Sequence, residues 1–318
     1  MGRTLLKTYR DYTDCRRQIR KNTPYNVRFY GFWDQPNPDM WLYQFVQSRK
    51  ILEGKDERIC FYSTFSPRSI LNRTKGDVNI FFTGENLKTG NHHQLYPDHF
   101  LNEQSIGLAL GFEYFDDPRY LRFPLWMMYM FDPASDDDAI IKRCEDLRHP
   151  LRGRHEKFAC MISRVDILGI RKAICEQLSS IRSVDCAGKV MHNCDDLWKI
   201  YSDDKPRFIS EYKFNICPEN SNCAGYVTEK AFQAIDAGCI PVYWGSYNHP
   251  EPDVLNPDAI VFWEKEGDNA KAVDFISQLD ASPAKYGEFI HQPRLKESAD
   301  DYVLGRFHEL EKKLKDLL

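Results

Sequence analysis

Residues 212–245 read YKFNICPENSNCAGYVTEKAFQAIDAGCIPVYWG and carry the clearest folding pattern of the chain. The stretch predicts a strand, a polar loop containing a glycine, a helix and a second buried strand. Val227, Ala231 and Ile235 fall on one face of the predicted helix. Gly238 is predicted to end it, because glycine readily adopts the left-handed conformation found after a helix C-terminus. The stretch is therefore predicted to be a βαβ unit with two parallel strands.

The same alternation of short apolar runs and helix-length segments extends over the rest of the chain. Residues 167–181 form a good amphipathic helix between two such runs. This pattern predicts an α/β fold of two Rossmann-like domains that face each other, with a ligand cleft at the carboxyl ends of the strands. The predicted strands lie in runs 27–33, 58–64, 78–83, 106–113, 157–163, 207–215, 239–244 and 259–263.

Length and composition agree with two folded domains. The chain has 318 residues, and domains average roughly 150 residues. Hydrophobic residues make up 42% and charged residues 28%, which excludes a disordered chain. A net charge of −4 argues against nucleic-acid binding, which needs a basic face. The polar stretch 132–154, marked by proline and glycine, is the predicted linker, and we expect a short helix around residues 139–147 within it. We therefore divide the chain into 1–150 and 151–318.

The ten cysteines do not form a metal-binding pattern. None belongs to a C-x-x-C pair, and Cys60, Cys160, Cys175 and Cys239 lie in apolar runs, which predicts small buried hydrophobes. No apolar leader and no apolar stretch of about 18 residues occurs in the sequence. We therefore expect a soluble protein of the reducing cytoplasm.

The C-terminal residues 304–318 predict a further helix. Phe307, Leu310, Leu314 and Leu317 recur at helical spacing, and the basic residues nearly cancel the acidic ones. We expect this helix to pack on the body of the protein. The alternative is a weak peripheral contact with the inner face of a membrane, although membrane-surface helices usually have a stronger basic face.

The start of the helix in residues 212–245 is a candidate anion site. Thr228, Glu229 and Lys230 fall in its first turn, where free backbone N–H groups and the lysine charge favour a phosphate and the glutamate accepts bonds from a ribose. The alternative is an ordinary βαβ unit with a solvated first turn. The surrounding loop favours the functional interpretation, because it holds more polar side chains than helix capping requires. These are Asn215, Glu219, Asn220, Asn222 and Tyr226.

Other nucleotide-binding motifs are absent from the sequence. No G-x-G-x-x-G follows a strand, and no G-x-x-x-x-G-K-[ST] occurs. The acidic run at residues 136–138 lies in the predicted linker, which indicates a solvated segment. These observations exclude the common dinucleotide and triphosphate sites.

In the first half, Glu85 directly follows a predicted buried strand. A carboxylate at the end of a parallel strand is well placed to deprotonate a hydroxyl in a cleft. The alternative is a turn with a surface glutamate. His92 and His93 follow in a polar loop, where we expect them to be solvated.

These segments resemble the α-1,3/4-fucosyltransferases, glycosyltransferase family ten. The resemblance lies in residues 212–221, 225–230 and 240–246 of the second half, together with residues 82–86 and 119–125 of the first. The matches occur in the family's order and extend over more than half of the chain. The family fold implied is GT-B, with an N-terminal acceptor-binding domain and a C-terminal donor-binding domain.

The resemblance implies roles for individual residues. Glu85 corresponds to the general base, Arg171 and Lys230 to the cations on the donor diphosphate, and Glu229 to the glutamate on the ribose. Further donor contacts are implied for Lys189, Asn193, Asn220, Tyr226 and Val227. No residue is assigned to the acceptor, whose choice we expect to reside within residues 1–72.

The implied activity is inverting transfer of L-fucose from GDP-β-L-fucose. The expected acceptor is the GlcNAc or Glc hydroxyl of a lactosamine-type glycan such as N-acetyllactosamine, in Lewis-antigen or surface-polysaccharide (lipopolysaccharide) synthesis. Two cations and a helix terminus would balance the charge of the diphosphate, so we expect that no metal is required. Divalent ions would at most stimulate the transfer. Lacking a membrane anchor and stem, the sequence suggests a bacterial member, without the heptad repeats and basic tail of some. Alternatives are a transferase for another GDP-sugar and a non-catalytic nucleotide-sugar-binding protein.

Overall fold

The computed structural model describes residues 2–33, 35–89, 103–150 and 155–318, with side chains from residue 9 onward. The predictions for His92 and His93 and for residues 151–154 of the linker fall outside these ranges. The chain divides into two compact units. The first contains residues 1–136 and 304–318, and the second contains residues 137–303.

The first unit is a parallel sheet whose strands follow one another in chain order, β1-β2-β3-β4-β5. Its strands are nearly continuous runs of buried residues, as expected where helices cover a parallel sheet. The strands are β1 Val27–Tyr30, β2 Ile59–Tyr62, β3 Val78–Phe82, β4 Leu108–Gly111 and β5 Tyr120–Arg122. The helices are α1 Gly2–Asn22, α2 Trp41–Ser48, α3 Ile70–Arg73 and α4 Leu125–Met130.

The second unit is a parallel sheet with the order β10-β9-β8-β6-β7. From β6 the chain passes to β7 on one side and then to β8 on the other side of β6, so the strand order reverses between β6 and β8. The loops after these two strands therefore diverge and leave room for a ligand. The strands are β6 Lys157–Met161, β7 Val184–Cys186, β8 Tyr212–Ile216, β9 Ile240–Tyr243 and β10 Val261–Phe262. The helices are α5 Asp137–Arg148, α6 Ile170–Leu178, α7 Asp196–Lys199, α8 Lys205–Ile209, α9 Glu229–Asp236, α10 Ala270–Ala281 and α11 Pro283–Ile290. The last helix, α12 Ala299–Asp316, begins in the second unit, and its residues from 304 onward belong to the first.

Each of the eight predicted strand runs overlaps a strand, which confirms the α/β class in both halves. Run 207–215 was too long at its start, because Pro206 and the side chain of Asp204 begin α8 there instead. Helix 167–181 was also too long, since Ile167 is 83% exposed and α6 begins at Ile170. Strands β5 and β7 were not predicted.

The observed division differs from the expected one at residue 150. Helix α5 lies in the predicted linker but belongs to the second unit, where Ile140 and Cys144 are fully buried. Arg143 of this helix forms an ion pair of 2.8 Å with Asp236 at the end of α9. The short helix expected around residues 139–147 is therefore confirmed, but one of its faces is buried in the second unit and it does not act as a solvated linker.

The last residues of the chain group with the first unit, although we expected 151–318 to form one domain. The ring of Phe307 on α12 contacts four aromatic rings of that unit, at centroid distances of 5.6 to 6.0 Å. These rings belong to Trp41, Phe45, Phe123 and Phe131. The expectation that this helix packs on the body of the protein is therefore confirmed.

We expect Phe307→Ala to lower the free energy of unfolding by about 3–5 kcal/mol, because it removes a fully enclosed ring from this aromatic cluster. The measurement is urea denaturation followed by tryptophan fluorescence. Phe275→Ala is the control, since that ring is 38% exposed and its loss should cost about 1 kcal/mol or less. Equal effects of the two substitutions would contradict the role given to Phe307.

Candidate active site

Arg171 joins the two loops that diverge at the strand reversal of the second unit. Its guanidinium donates to the carbonyl of Val165, in the loop after β6, at 3.3 Å. It also donates to the carbonyl of Pro218 at 2.7 Å and to Oδ1 of Asn220 at 3.0 Å, both in the loop after β8. A guanidinium carries five N–H donors, so these three bonds do not exhaust it.

Arg171 is held more firmly than an exposed arginine would be. Only 5% of the residue is exposed, and this burial lowers the pKa of its guanidinium. The shift does not remove the charge, because arginine stays protonated throughout the physiological range. The switch point of the sheet therefore contains a fixed positive charge.

Glu219 is the centre of a buried polar network and lies between Pro218 and Asn220, the two residues of this loop that Arg171 contacts. Its carboxylate is 0% exposed and accepts hydrogen bonds from the backbone N–H and the hydroxyl of Thr228, each at 2.7 Å. It also accepts a bond of 3.1 Å from Nζ of Lys230. A buried carboxylate is costly unless paired, and these three donors supply that compensation.

Gly245 makes room for this carboxylate. A Cβ atom at that position would lie 2.8 Å from Cγ of Glu219, closer than carbon atoms approach. The backbone of Gly245 also has a φ of 145°, which side chains rarely allow. The glycine after β9 is therefore required for Glu219 to occupy its position.

Lys230, in the first turn of α9, is the second cation at this edge of the sheet. Its Nζ lies 2.6 Å from Oγ1 of Thr228 and 3.7 Å from Oε1 of Glu229. Burial lowers the pKa of Lys230, but the carboxylates of Glu219 and Glu229 raise it more, and the net direction is upward. Lys230 therefore carries its charge at neutral pH, with 23% of its side chain exposed.

The structure brings Arg171, Lys230, Glu229 and Asn220 of the predicted donor residues to one edge of the sheet. Glu229 is 23% exposed at its side chain, and Asn220 lies at the surface. Tyr226, by contrast, is buried with 1% exposure, as is the neighbouring Val227. Both pack beneath the loop in this structure, and their donor contacts stay predictions.

Lys189 and Asn193 lie in the loop after β7. The exposed Lys189 helps to line a cavity of about 550 Å³ beside the half-exposed ring of Trp198. Asn193 instead holds the edge strand, because its amide accepts from the backbone N–H of Cys186 at 2.7 Å and donates to the carbonyl of Val184 at 2.9 Å. Asn193 therefore has a structural role, and the donor contacts of Asn193 and Lys189 stay predictions.

Glu85 lies in the first unit, three residues after the end of β3. Thr83 fixes the turn that carries it, since its hydroxyl accepts from the backbone N–H of Glu85 at 3.0 Å and donates to the carbonyl of Glu85 at 2.9 Å. The residue is partly exposed. This is the position predicted for a carboxylate at the end of a parallel strand.

In the ranges that the structure covers, no three His, Cys, Asp or Glu side chains lie together as metal ligands. No helix within those ranges is long and apolar enough to cross a membrane. Metal independence remains a prediction.

The role of Glu219 was missed from the sequence, although its position was noted. The available signal was a carboxylate immediately after a buried strand, in the segment Cys217-Pro218-Glu219. A glutamate in a polar loop gave no sign that it would be fully buried. Its partners become visible only when the loop folds back on the start of α9.

Two family models match the sequence, and together they cover most of it. Residues 27–129 match the N-terminal domain of alpha-(1,3)-fucosyltransferase FucT. Residues 151–300 match the C-terminal part of glycosyltransferase family 10 (fucosyltransferase). With its two parallel α/β sheets and these matches, the chain belongs to glycosyltransferase family 10, as its motifs suggested.

Individual relatives agree with this assignment. The alpha-(1,3)-fucosyltransferase FucT of Helicobacter pylori is 28% identical over 239 residues, which are 67% of this chain and 46% of that protein. Alpha-(1,3)-fucosyltransferase B of Drosophila melanogaster is 28% identical over 66% of this chain and 52% of its own length. The chain thus spans about half the length of these curated relatives.

A solved structure shares the fold. A crystal structure of an alpha1,3-fucosyltransferase with GDP-fucose superposes with a TM-score of 0.57 over 90% of each chain, at 22% sequence identity. This likeness confirms the two-domain GT-B class predicted from the sequence. At such low identity it establishes the fold alone.

We expect Lys230→Ala to lower the free energy of unfolding by about 3–5 kcal/mol, because Glu219 is left as a buried charge without its cation. Adding Glu219→Gln should restore part of this loss, since the buried group is then neutral. Urea denaturation of the three variants measures both effects.

Lys172→Ala is the matched control for this series. Its side chain is 62% exposed beside Arg171, so its loss should change stability by no more than about 0.5 kcal/mol. Strictly additive effects of the Lys230 and Glu219 substitutions would contradict the pairing.

Proposed function

We propose that this chain is an inverting α-1,3-fucosyltransferase. It moves L-fucose from GDP-β-L-fucose to a hydroxyl of the GlcNAc or Glc in a lactosamine-type glycan. Both family models and the named relatives are fucosyltransferases, which supports the donor and the reaction class. The acceptor and the linkage are proposed from the motif resemblance.

The observation that carries this proposal is the pair of cations at the strand reversal. Arg171 comes from the segment after β6, and Lys230 comes from the start of α9 after β8. Ligands of parallel α/β sheets bind outside the carboxyl ends of strands at such a reversal. A diphosphate placed there meets two fixed positive charges and a helix N-terminus. Glu229 beside them supplies a carboxylate that accepts hydrogen bonds from a ribose diol.

The reaction needs one base and one stabilised leaving group. Glu85 accepts the proton of the acceptor hydroxyl while that oxygen forms a bond to C1 of fucose. On the opposite face, the bond between C1 and the β-phosphate oxygen breaks, and its electron pair leaves with GDP. Arg171 and Lys230 stabilise the negative charge that develops on the diphosphate, an effect worth several kcal/mol in comparable sites. A single displacement inverts the β-linked donor into an α-linked product.

The same residues make a metal ion unnecessary for the chemistry proposed. Charge on the leaving diphosphate is balanced by a guanidinium and an ammonium, which act as the electrostatic clamp that Mg²⁺ supplies elsewhere. Divalent ions would then at most stimulate the reaction. The product fits Lewis-type antigens or related surface polysaccharides, because these contain α-1,3-linked fucose.

The test combines a donor comparison with a variant of the proposed base. Wild-type protein incubated with N-acetyllactosamine should form product from GDP-fucose and none from GDP-mannose. We expect Glu85→Gln to lower kcat by at least about 100-fold, because the amide cannot accept the proton. Its affinity for GDP should stay within about twofold of wild type.

Glu53→Gln is the control, since the side chain of Glu53 is 68% exposed in the same unit. Its kcat should equal that of wild type. Product from GDP-mannose alone would refute the donor assignment, and an unchanged kcat in Glu85→Gln would refute the role of Glu85.

A further inference from the structure

The first unit contains a cavity of about 400 Å³ with aromatic walls. We call it the aromatic pocket and define it by Phe32 and Trp33, directly after β1, Trp41 on α2 and Tyr129 on α4. Trp33 is 40% exposed and Tyr129 is 51% exposed, so large ring surfaces face the solvent. Its volume lies in the range of sites that bind small ligands.

The aromatic pocket adjoins the turn that carries Glu85, through contacts on both sides of that turn. On one side, the ring of Phe82, the last residue of β3, stacks on Phe32 at a centroid distance of 5.8 Å and an interplanar angle of 18°. On the other, Gly84 packs so closely on Leu125 that a Cβ would lie 2.9 Å from its Cδ2. Leu125 itself lines the pocket. Both contacts lie within three residues of Glu85.

Polar side chains at the pocket complement the aromatic walls. Gln35, Asp39 and Gln44 line it, and they offer amide donors together with amide and carboxylate acceptors. The amide nitrogen of Gln44 donates to the carbonyl of Pro38 at 3.2 Å, which orients its side chain. A pyranose ring has apolar C–H faces and polar hydroxyl groups. The aromatic rings of the pocket can contact the C–H faces, and the polar side chains can bond to the hydroxyls.

The charge of the lining restricts the ligand further. Among the described residues that line the pocket there is one carboxylate, Asp39, and no lysine, arginine or histidine. A phosphate or carboxylate on the ligand would face Asp39 without a cation to pair with it. A neutral sugar meets no such repulsion.

We propose that the aromatic pocket binds a neutral pyranose of the acceptor glycan next to Glu85. The inference rests on the function proposed above and supplies the acceptor site that the motifs left unassigned. Trp33 and Tyr129 contact the flat faces of the sugar, while Gln44 and Asp39 bond to its hydroxyls. Acceptors with an anionic group on the bound ring are selected against by Asp39.

The experiment measures N-acetyllactosamine and donor affinity separately. Tyr129→Ala and Gln44→Ala should each raise the KM for N-acetyllactosamine at least tenfold, with the Kd for GDP within twofold of wild type. Tyr9→Ala is the matched control, because Tyr9 is a 67% exposed tyrosine on α1 that does not line the pocket. Its KM should equal that of wild type.

A second readout does not need turnover. Isothermal titration of N-acetyllactosamine into the protein without donor should show binding that Tyr129→Ala weakens at least tenfold. Trp33→Phe keeps a ring in place and should weaken this binding less than Trp33→Ala does. A lactosamine whose GlcNAc ring carries a carboxylate at C6 should bind at least tenfold more weakly than N-acetyllactosamine, and Asp39→Asn should reduce that difference.

The two readouts separate this inference from the proposed function. Fucosyl transfer with unchanged KM and Kd in the pocket variants would overturn the pocket and leave the function standing. Glycan binding that Tyr129→Ala abolishes, in a protein that transfers no fucose, would support the pocket and refute the function. Neither transfer nor glycan binding in wild type would refute both.

Discussion

The burial of the Glu219 carboxylate is the constraint on which the second unit's site depends. A charge removed from water must be compensated, and here Thr228 and Lys230 provide the donors. These bonds tie the loop after β8 to the first turn of α9. They also fix the ammonium of Lys230 at the edge of the sheet, where Arg171 joins the same loop to the segment after β6.

This arrangement supplies two cations whose side chains are already held in place by hydrogen bonds. Side chains that are already held lose little entropy when a ligand binds, and fixed charges need no reorganisation as the reaction proceeds. In the first unit, Thr83 similarly holds the turn of Glu85, and Phe82 and Gly84 connect that turn to the aromatic pocket. In both units, the residues proposed for the chemistry therefore lie just beyond the carboxyl end of a parallel strand.

The sequence was most informative where burial was continuous. Strands such as β2 and β9 are unbroken apolar runs, whereas β7 reads Val184-Asp185-Cys186, so its charged middle residue hid a three-residue strand. Helix α5 was expected within the linker, but the acidic residues around it gave no sign that one of its faces is buried in the second unit. These elements are specified by their neighbours in space, and local patterns do not contain that information.

The site was predictable to a similar extent. The motifs singled out Arg171 and Lys230 as candidate donor residues, and the fold brings them to one edge of a sheet. The strand order that makes this edge a candidate binding site comes from long-range pairing between β6 and β8, which no local pattern encodes. Glu219 and the aromatic pocket likewise depend on residues far apart in sequence, as the contact between Gly245 and Glu219 illustrates.

The most direct test of the central claim is a crystal structure of the protein with GDP. We expect the guanidinium of Arg171 and Nζ of Lys230 each to lie within about 3.5 Å of a diphosphate oxygen, with the ribose at Glu229. Diphosphate oxygens bound elsewhere, with neither cation in contact, would contradict the account.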